Sequence, residues 1–270
     1  MLKSNGLLTG QTAVVTGANS GIGEGIARAM AQAGANVIVN YVSGEASALA
    51  LVKELEAGGG RAAAVFADVA DEAQVAALFK KAVQLYGGVQ ILVNNAGIQK
   101  DAAFTEMTLA AWQKVLDVNL TGQFLCAREA ARLFIKSRVN PALSCAAGKI
   151  ICISSVHEVI PWSGHCNYAA SKGGVMLLMK TMAQELAPLK IRVNSIAPGA
   201  IKTPINQTVW SDPAGAAKML DLIPYKRIGE TADIGKAAVW LASDESDYIN
   251  GATIFVDGAM TCYPGFATGG

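Results

Sequence analysis

Short runs of apolar, β-branched residues recur along this chain and alternate with longer stretches of helical periodicity. The runs predict strands near residues 12–16, 36–41, 62–66, 90–94, 149–154, 191–196 and 252–257. Helices are predicted between them, near residues 22–33, 45–57, 71–86, 108–137, 166–187 and 231–243. Most of the runs end at Gly, Asn or Asp, which is typical of the turn that leads from a strand into a helix.

Repeated strand–helix units predict a mainly parallel sheet with helices on both faces. The expected fold is therefore a single-domain, doubly wound α/β Rossmann fold of about seven parallel strands, spanning residues 1–270. Two segments interrupt this alternation of strands and helices. Residues 138–148 form a long loop before the fifth strand, and residues 202–229 contain three prolines, which predict a lid of broken helices over a ligand.

Composition excludes several classes of function. The chain is 52% hydrophobic and 16% charged, and its net charge of +1 includes no basic block, so neither nucleic acid nor a membrane surface is expected as a partner. No apolar run reaches the ~18 residues of a membrane span, and the first ten residues have too short an apolar core for a signal peptide. Five cysteines without Cys-x-x-Cys spacing and only two histidines predict reduced thiols, a cytoplasmic location and no catalytic metal.

The first predicted strand leads directly into a glycine-rich turn. Thr12–Thr16 is followed by Gly17-Ala18-Asn19-Ser20-Gly21-Ile22-Gly23 and then by helix-like sequence. A strand, a glycine turn and a helix start bring backbone N–H groups and the positive end of a helix to a pyrophosphate. Glycine is needed because the backbone must turn sharply and approach the phosphates without a Cβ. The motif alone is weak evidence, because its spacing differs by one residue from the better-known dinucleotide pattern.

A tyrosine and a lysine form the second informative group. Tyr168 and Lys172 lie four residues apart in a predicted helix, with Ser155 thirteen residues upstream. Positions i and i+4 share a helix face, so the ammonium can approach the phenol. A phenol titrates near pH ~10, and a nearby cation lowers its pKa toward the range of a general base. Such a pair alone is more often a feature of a helix surface, and its combination with the glycine turn and Ser155 favours catalysis.

The assembled pattern resembles the short-chain dehydrogenase/reductase family over essentially the whole chain. The resemblance rests on the Thr16–Gly23 turn, Asp68-Val69, Asn94–Gly97, Asn119, Ser155, Tyr168 with Lys172, and Pro198–Thr203. Within the family, three parts of the chain are similar to bacterial glucose 1-dehydrogenases: Ser154–Glu158 with Ile160–Trp162, Thr203–Asn206, and Met260–Phe266. The resemblance implies an oxidoreductase that uses a nicotinamide dinucleotide.

The resemblance also implies roles for particular residues. Ser155 would bind the substrate oxygen, Tyr168 would remove the hydroxyl proton during oxidation, and Lys172 would lower the pKa of Tyr168 and bind the nicotinamide ribose. Asn119 would hold a water that relays the proton to solvent. The residues implied in cofactor binding are Gly17, Asn19, Ser20, Gly21, Ile22, Gly23, Tyr41, Ser43, Asp68, Val69, Asn95, Ala96, Gly97, Tyr168, Lys172, Pro198, Gly199, Ile201 and Thr203. The alternatives are a strand-end cap for Ser155 and a buried helix polar group for Asn119.

The end of the second predicted strand bears on cofactor choice. The segment Asn40–Ser43 contains neither an acid for the 2′-hydroxyl of NAD nor a cation for the 2′-phosphate of NADP. A site without either group should discriminate poorly. We therefore expect use of both NADP and NAD, with a slight preference for NADP.

The expected substrate is a sugar such as glucose, oxidised at C1, or a related polyol. His157, Asn206 and Asp212 are expected to bind its hydroxyl groups, while packing under the lid (His157) and a solvated face (Asn206 and Asp212) are the alternatives. Gln99, residues 163–167 and the long 138–148 loop depart from the glucose dehydrogenase pattern. The alternative function is a carbonyl reductase such as a 3-oxoacyl-carrier-protein reductase. A non-catalytic nucleotide sensor is disfavoured because Tyr168 and Lys172 are both present.

The C-terminal part of the chain predicts assembly. Apolar and aromatic residues dominate Tyr248–Phe266, which is more than one sheet edge requires. The resemblance implies a homotetramer, and we expect the tail to contribute to the substrate site. The alternative is a tail that folds back on its own subunit.

Overall fold

The structure, a computed structural model, describes residues 6–262. Its strands form one parallel sheet of seven, in the order β3-β2-β1-β4-β5-β6-β7. The strands are β1 (Thr12–Val15), β2 (Asn36–Tyr41), β3 (Arg61–Phe66), β4 (Ile91–Asn94), β5 (Gly148–Ile153), β6 (Ile191–Pro198) and β7 (Thr253–Val256). The predicted doubly wound fold is confirmed. The strand order reverses beside β1, and in such sheets ligands bind in the crevice at that point.

Helices connect the strands and cover both faces of the sheet. They are α1 (Gly21–Gln32), α2 (Glu45–Ala57), α3 (Glu72–Tyr86), α4 (Leu109–Leu116), α5 (Gly122–Ser137), α6 (Cys166–Leu186), α7 (Gln207–Trp210), α8 (Pro213–Asp221) and α9 (Thr231–Ala242). Alternate residues of a strand belong to different cores: Val37 and Val39 pack with α1 and α9, whereas Ile38 packs with α3, α5 and α6. Burial on both faces explains why the strands are continuous apolar runs.

The helix predicted over 108–137 differs from expectation at its centre. Residues Asp117–Thr121 form a π-helical turn between α4 and α5, and the Gly122 N–H donates to the carbonyl of Asp117, five residues back. The turn contains Asn119, a predicted catalytic residue. π-Helical turns within α-helices frequently occur at functional sites.

The two irregular segments also occur where they were predicted. The loop before β5 is tied to the protein by Ser144 Oγ and Cys145 N, which donate to the Asp244 carboxylate at 2.5 and 3.1 Å. The 202–229 segment consists of a short 3₁₀ turn at Pro204–Asn206, then α7 and α8, with no buried residue in any of the three. The broken-helix architecture therefore matches the prolines, and the role of this segment as a lid stays a prediction.

Two negative findings apply to the described part of the chain. No helix between residues 6 and 262 is long and apolar enough to cross a bilayer. The same residues contain no group of three or more His, Cys, Asp or Glu side chains that could hold a metal ion.

Candidate active site

The glycine turn between β1 and α1 forms a cradle that side chains would fill. Gly17 and Gly21 have φ values of +58° and +55°, which favour glycine. A Cβ on Gly23 would lie 2.3 Å from the Gly17 carbonyl oxygen and 2.4 Å from Asn95 Nδ2. Ser20, which precedes α1, makes no side-chain capping bond, so the first N–H groups of α1 have no cap from it. This arrangement fits the pyrophosphate of a dinucleotide cofactor.

Polar side chains from neighbouring strands hold the cradle in place. Thr16 Oγ1 accepts from the backbone N–H groups of Asn95 and Ala96 at 2.9 and 3.0 Å. Asn95 Nδ2 in turn donates to the carbonyl oxygens of Thr16 and Gly17 at 2.8 and 3.1 Å. Asn40 Oδ1 accepts from Gly17 N at 3.2 Å. Thr16 and Asn40 were not among the predicted site residues, although each is a buried polar residue at the end of an apolar run.

The residues expected near the adenosine part of the cofactor lie at the ends of β2 and β3. Tyr41 is buried and its hydroxyl donates to Glu45 Oε1 at 3.0 Å. Asn19 Nδ2 donates to the Ser43 carbonyl at 2.8 Å, which joins the cradle to this segment. Asp68 Oδ1 accepts from Ala70 N at 2.9 Å. Glu45 was missed because it lies beyond the strand end, in the first turn of α2.

Val69 and Gly97 are predicted cofactor residues that lie against the helical segment from α4 to α5. Val69 is buried, and its Cγ2 would lie 2.7 Å from a Cβ on Gly122. A Cβ on Gly97 would lie 3.4 Å from Asn119 Oδ1. The two residues therefore connect the ends of β3 and β4 to the helical segment that follows β4.

The segment after β6 comes close to the glycine turn. A Cβ on Gly21 would lie 3.4 Å from Thr203 Cγ2, and a Cβ on Gly199 would lie 2.8 Å from Asp257 Cα. Pro198 ends β6, and Ile201 is buried at a bridge to Gly229. The structure thus brings together parts of the predicted cofactor site that lie about 180 residues apart in the sequence.

Tyr168, Ser155 and Lys172 meet at the carboxyl end of β5. Ser155 follows the strand, and its Oγ accepts from His157 N at 3.2 Å, so it also serves as the strand-end cap that was the alternative. Lys172 is buried, and its Nζ donates to the Ile153 carbonyl at 2.9 Å and lies 5.4 Å from the centroid of the Tyr168 ring.

The charges at this site differ from expectation. Burial raises the pKa of Tyr168 above its ordinary value, while side-chain hydrogen bonds with Ser155 and Gln99 act in the lowering direction. Burial also lowers the pKa of Lys172 to about 8. The predicted lowering of the Tyr168 pKa by Lys172 is therefore not found. The physical reason is that burial disfavours the charged form of Lys172 as well. The Nζ of Lys172 also donates its hydrogen bond to the Ile153 carbonyl. Gln99 is therefore part of the site through its hydrogen bond with Tyr168. In the sequence it stood out only as a departure from the glucose dehydrogenase pattern.

Asn119 is buried, and its amide is engaged with protein groups. Its Oδ1 accepts from Ile98 N at 2.8 Å, and its Nδ2 donates to Ile98 O at 3.0 Å and to Ser171 Oγ at 3.2 Å. Ser171 Oγ donates to the Tyr168 carbonyl at 2.7 Å. The side chain thus fits the alternative of a buried helix polar group, and the water relay stays a prediction.

Asn167 is a further residue that sequence reasoning missed. It is fully buried at the start of α6, where Nδ2 donates to the Lys100 carbonyl at 2.8 Å and Oδ1 accepts from Tyr168 N at 2.8 Å. The side chain joins the loop after β4 to the helix that carries Tyr168. A polar residue directly before the tyrosine was the available signal.

The three predicted substrate residues differ in their surroundings. The His157 ring lies 6.3 Å from that of Tyr168 between centroids. Asn206 Oδ1 accepts from Thr203 N at 3.0 Å, and Asp212 Oδ2 accepts from Gly215 N at 2.7 Å, so both bind backbone within the 202–229 segment. His157 is therefore brought to the reacting group, while the substrate contacts of Asn206 and Asp212 stay predictions.

We expect Gly23→Ala to weaken cofactor binding and to lower the melting temperature. The new Cβ meets the Gly17 backbone at 2.3 Å, so the cradle must shift. Overpacking of this kind costs roughly 1–3 kcal/mol of stability. The dissociation constant of NAD and of NADP should rise at least about tenfold by fluorescence titration, since about 1.4 kcal/mol corresponds to that factor. Gly173→Ala is the matched control, because a Cβ there meets no atom within 4 Å. An unchanged affinity in Gly23→Ala contradicts the assignment of the cradle.

A phosphate cradle at the switch point of a doubly wound sheet is typical of dinucleotide-binding enzymes, and Tyr168 and the buried Lys172 lie at the same edge of this sheet. Residues 17–261 match the family model described as "Enoyl-(Acyl carrier protein) reductase". The chain belongs to the short-chain dehydrogenase/reductase family, as its motifs indicated.

Relatives of known name cover nearly the whole chain. The chain is 47% identical to 3beta-hydroxysteroid dehydrogenase 1 of Eggerthella lenta, over 97% of this chain and 98% of that protein. It is 40% identical to glucose 1-dehydrogenase 2 of Bacillus subtilis, over 95% of this chain and 97% of that protein. The crystal structure of a gluconate 5-dehydrogenase from Burkholderia cenocepacia, in complex with NADP and tartrate, superposes with a TM-score of 0.86 and is 36% identical, covering 94% of this chain and 96% of that one. Relatives this similar thus act on different alcohols.

Proposed function

We propose that this oxidoreductase interconverts a secondary or hemiacetal hydroxyl and the corresponding carbonyl, with Tyr168 as general acid and base. The observation that carries the proposal is the meeting of Tyr168, Ser155 and Lys172 at the carboxyl end of β5, beside the cradle between β1 and α1. The bound nicotinamide ring supplies or accepts the hydride. The residues that we propose to hold the cofactor are Gly17, Gly21 and Gly23, with Thr203 against Gly21.

The protein's own contribution is proton transfer and orientation. In oxidation, Tyr168 Oη accepts the proton of the substrate hydroxyl, and Ser155 Oγ donates a hydrogen bond to the substrate oxygen as charge develops on it. Tyr168 and Lys172 act as a pair that has first lost one proton: the proton that remains is on Lys172, so its ammonium lies beside a phenolate that can accept the substrate proton. In reduction, the same phenol donates the proton.

For the substrate we propose a sugar such as glucose, or a related polyol. The resemblance of three parts of the chain to glucose 1-dehydrogenases supports this, as do the 40% identity to the Bacillus subtilis enzyme and the position of His157 beside Tyr168. A hydroxysteroid or another apolar cyclic alcohol is the second candidate. It is favoured by the 47% identity to the Eggerthella lenta enzyme and by exposed apolar side chains at Val159, Ile205 and Val209. A 3-oxoacyl thioester remains the reductase alternative.

A substrate panel tests these candidates. Aldoses, polyols, a 3β-hydroxysteroid and a 3-oxoacyl thioester are assayed with NAD and NADP, in the appropriate direction, by absorbance at the reduced-nicotinamide band. The highest kcat/KM for an aldose or polyol supports the first candidate, and the highest value for the steroid supports the second. Turnover of none of them, with Tyr168→Phe as the background control, contradicts the proposed function.

We propose that the enzyme uses both cofactors. The absence of an acid or a cation in Asn40–Ser43 supports dual use, and the Glu45 carboxylate on the Tyr41 hydroxyl counts against the expected slight preference for NADP.

Val42→Arg is expected to shift the preference toward NADP. Val42 follows β2 and is 55% exposed, so a guanidinium at this position can reach the oxygens of the NADP 2′-phosphate from the solvent side. A charge-assisted hydrogen bond contributes roughly 1.5–3 kcal/mol, so the NADP/NAD ratio of kcat/KM should rise at least about tenfold. Val42→Met, which adds length without charge, should leave the ratio unchanged. A ratio that does not rise in Val42→Arg contradicts the role of the β2 end in selection.

The rate of oxidation is expected to increase with pH between 6 and 9. Burial lowers the pKa of Lys172 to about 8, so the tyrosine–lysine pair loses its first proton near that pH. The pair can accept the substrate proton only after this loss, so oxidation rises through about pH 8 and reduction falls. The measurement is kcat/KM against pH in both directions, with a deuterated substrate to show that hydride transfer limits the rate. A flat profile under that condition contradicts the assignment.

We also propose a homotetramer. Exposed apolar side chains on α9, β7 and the loop between them support an interface, namely Trp240, Tyr248 and Phe255. The tail residues Tyr263 and Phe266, which were expected to help build the substrate site, lie outside the described residues. Light scattering tests the assembly: four times the 27.9 kDa chain mass supports it, and the mass of one chain contradicts it.

A further inference from the structure

Three aromatic rings are stacked on one side of Tyr168. Trp162 lies between His157 and His165, with centroid distances of 4.3 and 3.5 Å and interplanar angles of 18° and 6°. Trp162 also meets the Tyr168 ring edge to face, at 6.2 Å and 84°. The two histidines stack on the indole, which remains 38% exposed.

His165, one of the two histidines of the stack, contacts the carboxylate of Asp101. His165 Nδ1 lies 2.9 Å from the Ser163 carbonyl, and its Nε2 lies 3.2 Å from Asp101 Oδ2. Each ring nitrogen of His165 thus lies within hydrogen-bonding distance of a protein oxygen, which fixes the orientation of the ring. Asp101 and the Ser163 carbonyl therefore hold the His165 ring flat against Trp162.

His157, the other histidine of the stack, can accept a hydrogen bond at one of its two ring nitrogens. His157 Nδ1 lies 3.0 Å from the Ile160 carbonyl, which can only accept, so Nδ1 carries the proton. Burial lowers the pKa of His157, which favours the neutral ring. Its Nε2 is then a lone-pair acceptor, and it makes no hydrogen bond with any residue between 6 and 262. A group that donates a hydrogen bond is the matching chemistry.

On the basis of the proposed function, we propose that Asp101 and His165 are positioning residues of the substrate site. They clamp Trp162 against His157, and so hold His157 Nε2 beside Tyr168 as the acceptor for a second hydroxyl next to the reacting one. The site then prefers vicinal diols, such as sugars and polyols, over alcohols with a single hydroxyl.

The test compares trans-1,2-cyclohexanediol with cyclohexanol, which differ by that one hydroxyl. The wild-type enzyme should show the higher kcat/KM for the diol. A neutral hydrogen bond contributes about 0.5–1.5 kcal/mol, so His165→Ala should lower the diol/mono-alcohol ratio roughly 2- to 10-fold, mainly through KM. The KM of the cofactor should not change, because the stack is not part of the cradle.

Further variants separate a positioning role from general damage to the fold. His165→Arg should restore most of the ratio, because a guanidinium both stacks on an indole and pairs with a carboxylate. In a double-mutant cycle, His165→Ala should add nothing to the loss of selectivity in His157→Ala, since it acts through that ring. The fluorescence of Trp162, obtained as the difference from Trp162→Phe versions, should change in His165→Ala and return in His165→Arg.

Each outcome decides between the two proposals. If the wild type oxidises neither alcohol and no member of the substrate panel, the proposed function fails. If it oxidises both alcohols equally well, His157 does not read a second hydroxyl. If the ratio is unchanged in His165→Ala, or if the losses in the double variant add, the positioning role of Asp101 and His165 is overturned while the dehydrogenase assignment stands.

Discussion

Turnover in Tyr168→Phe is expected to fall by about 10²–10⁴-fold while cofactor binding survives. The substitution removes one oxygen atom from a ring that contacts the protein on several sides, so the fold should be kept. That oxygen is the group we propose to exchange a proton with the substrate. The measurements are kcat with the best substrate of the panel and the dissociation constants of NAD and NADP by fluorescence titration.

Tyr86→Phe is the matched control for this change. Tyr86 is the last residue of α3, outside the proposed site, and its hydroxyl makes no hydrogen bond with any residue between 6 and 262, so its loss should leave turnover unchanged. Retention of more than a tenth of the wild-type turnover in Tyr168→Phe removes this residue from the reaction. An equal loss of cofactor affinity in the same variant indicates a structural role instead.

Lys172→Ala should lower both turnover and cofactor affinity. Within the described residues, the buried Lys172 ammonium is the cation nearest the Tyr168 ring. Its Nζ donates to the carbonyl of Ile153, the last residue of β5. We expect turnover to fall roughly 10²-fold or more, because proton transfer by Tyr168 loses its neighbouring charge. The cofactor dissociation constant should rise about tenfold or more, since hydrogen bonds to charged groups contribute about 1.5–3 kcal/mol.

Lys180→Ala provides the comparison on the same helix. Lys180 is exposed on α6, and removal of its ammonium should change neither quantity. A loss of turnover in Lys172→Ala without a change in cofactor affinity argues against the double role of the lysine. Loss of the pH-dependent step near 8 in this variant, against its presence in Lys180→Ala, ties that step to Lys172.

The strands could be predicted because each is buried on both faces. Burial on two sides leaves a continuous apolar run in the sequence, and all seven runs became strands of the sheet. The glycine turn was equally visible, because its backbone angles and its close approach to Asn95 admit only glycine at Gly17 and Gly23. Tyr168 and Lys172 could be paired because four residues make one helical turn.

The environment of those residues could not be predicted in the same way. The pKa of Tyr168 is raised and that of Lys172 lowered because burial removes water from both, and burial depends on what the rest of the fold places around them. Thr16 was not among the predicted site residues for a similar reason: its partner Asn95 lies 79 residues away in the sequence.

The sequence by itself determined the local parts of this protein: strands, helix starts, the glycine turn and the spacing of Ser155, Tyr168 and Lys172. These features depend on neighbours within a few residues, so backbone geometry and periodicity reveal them. Only the tertiary structure decided which side chains are free to act. Asn206 is bound by Thr203 and Ile201, whereas the Nε2 of His157, whose ring centroid lies 6.3 Å from that of Tyr168, makes no hydrogen bond with any residue between 6 and 262. Contacts between distant segments set that difference, and they follow from how the sheet brings its loops together at one edge.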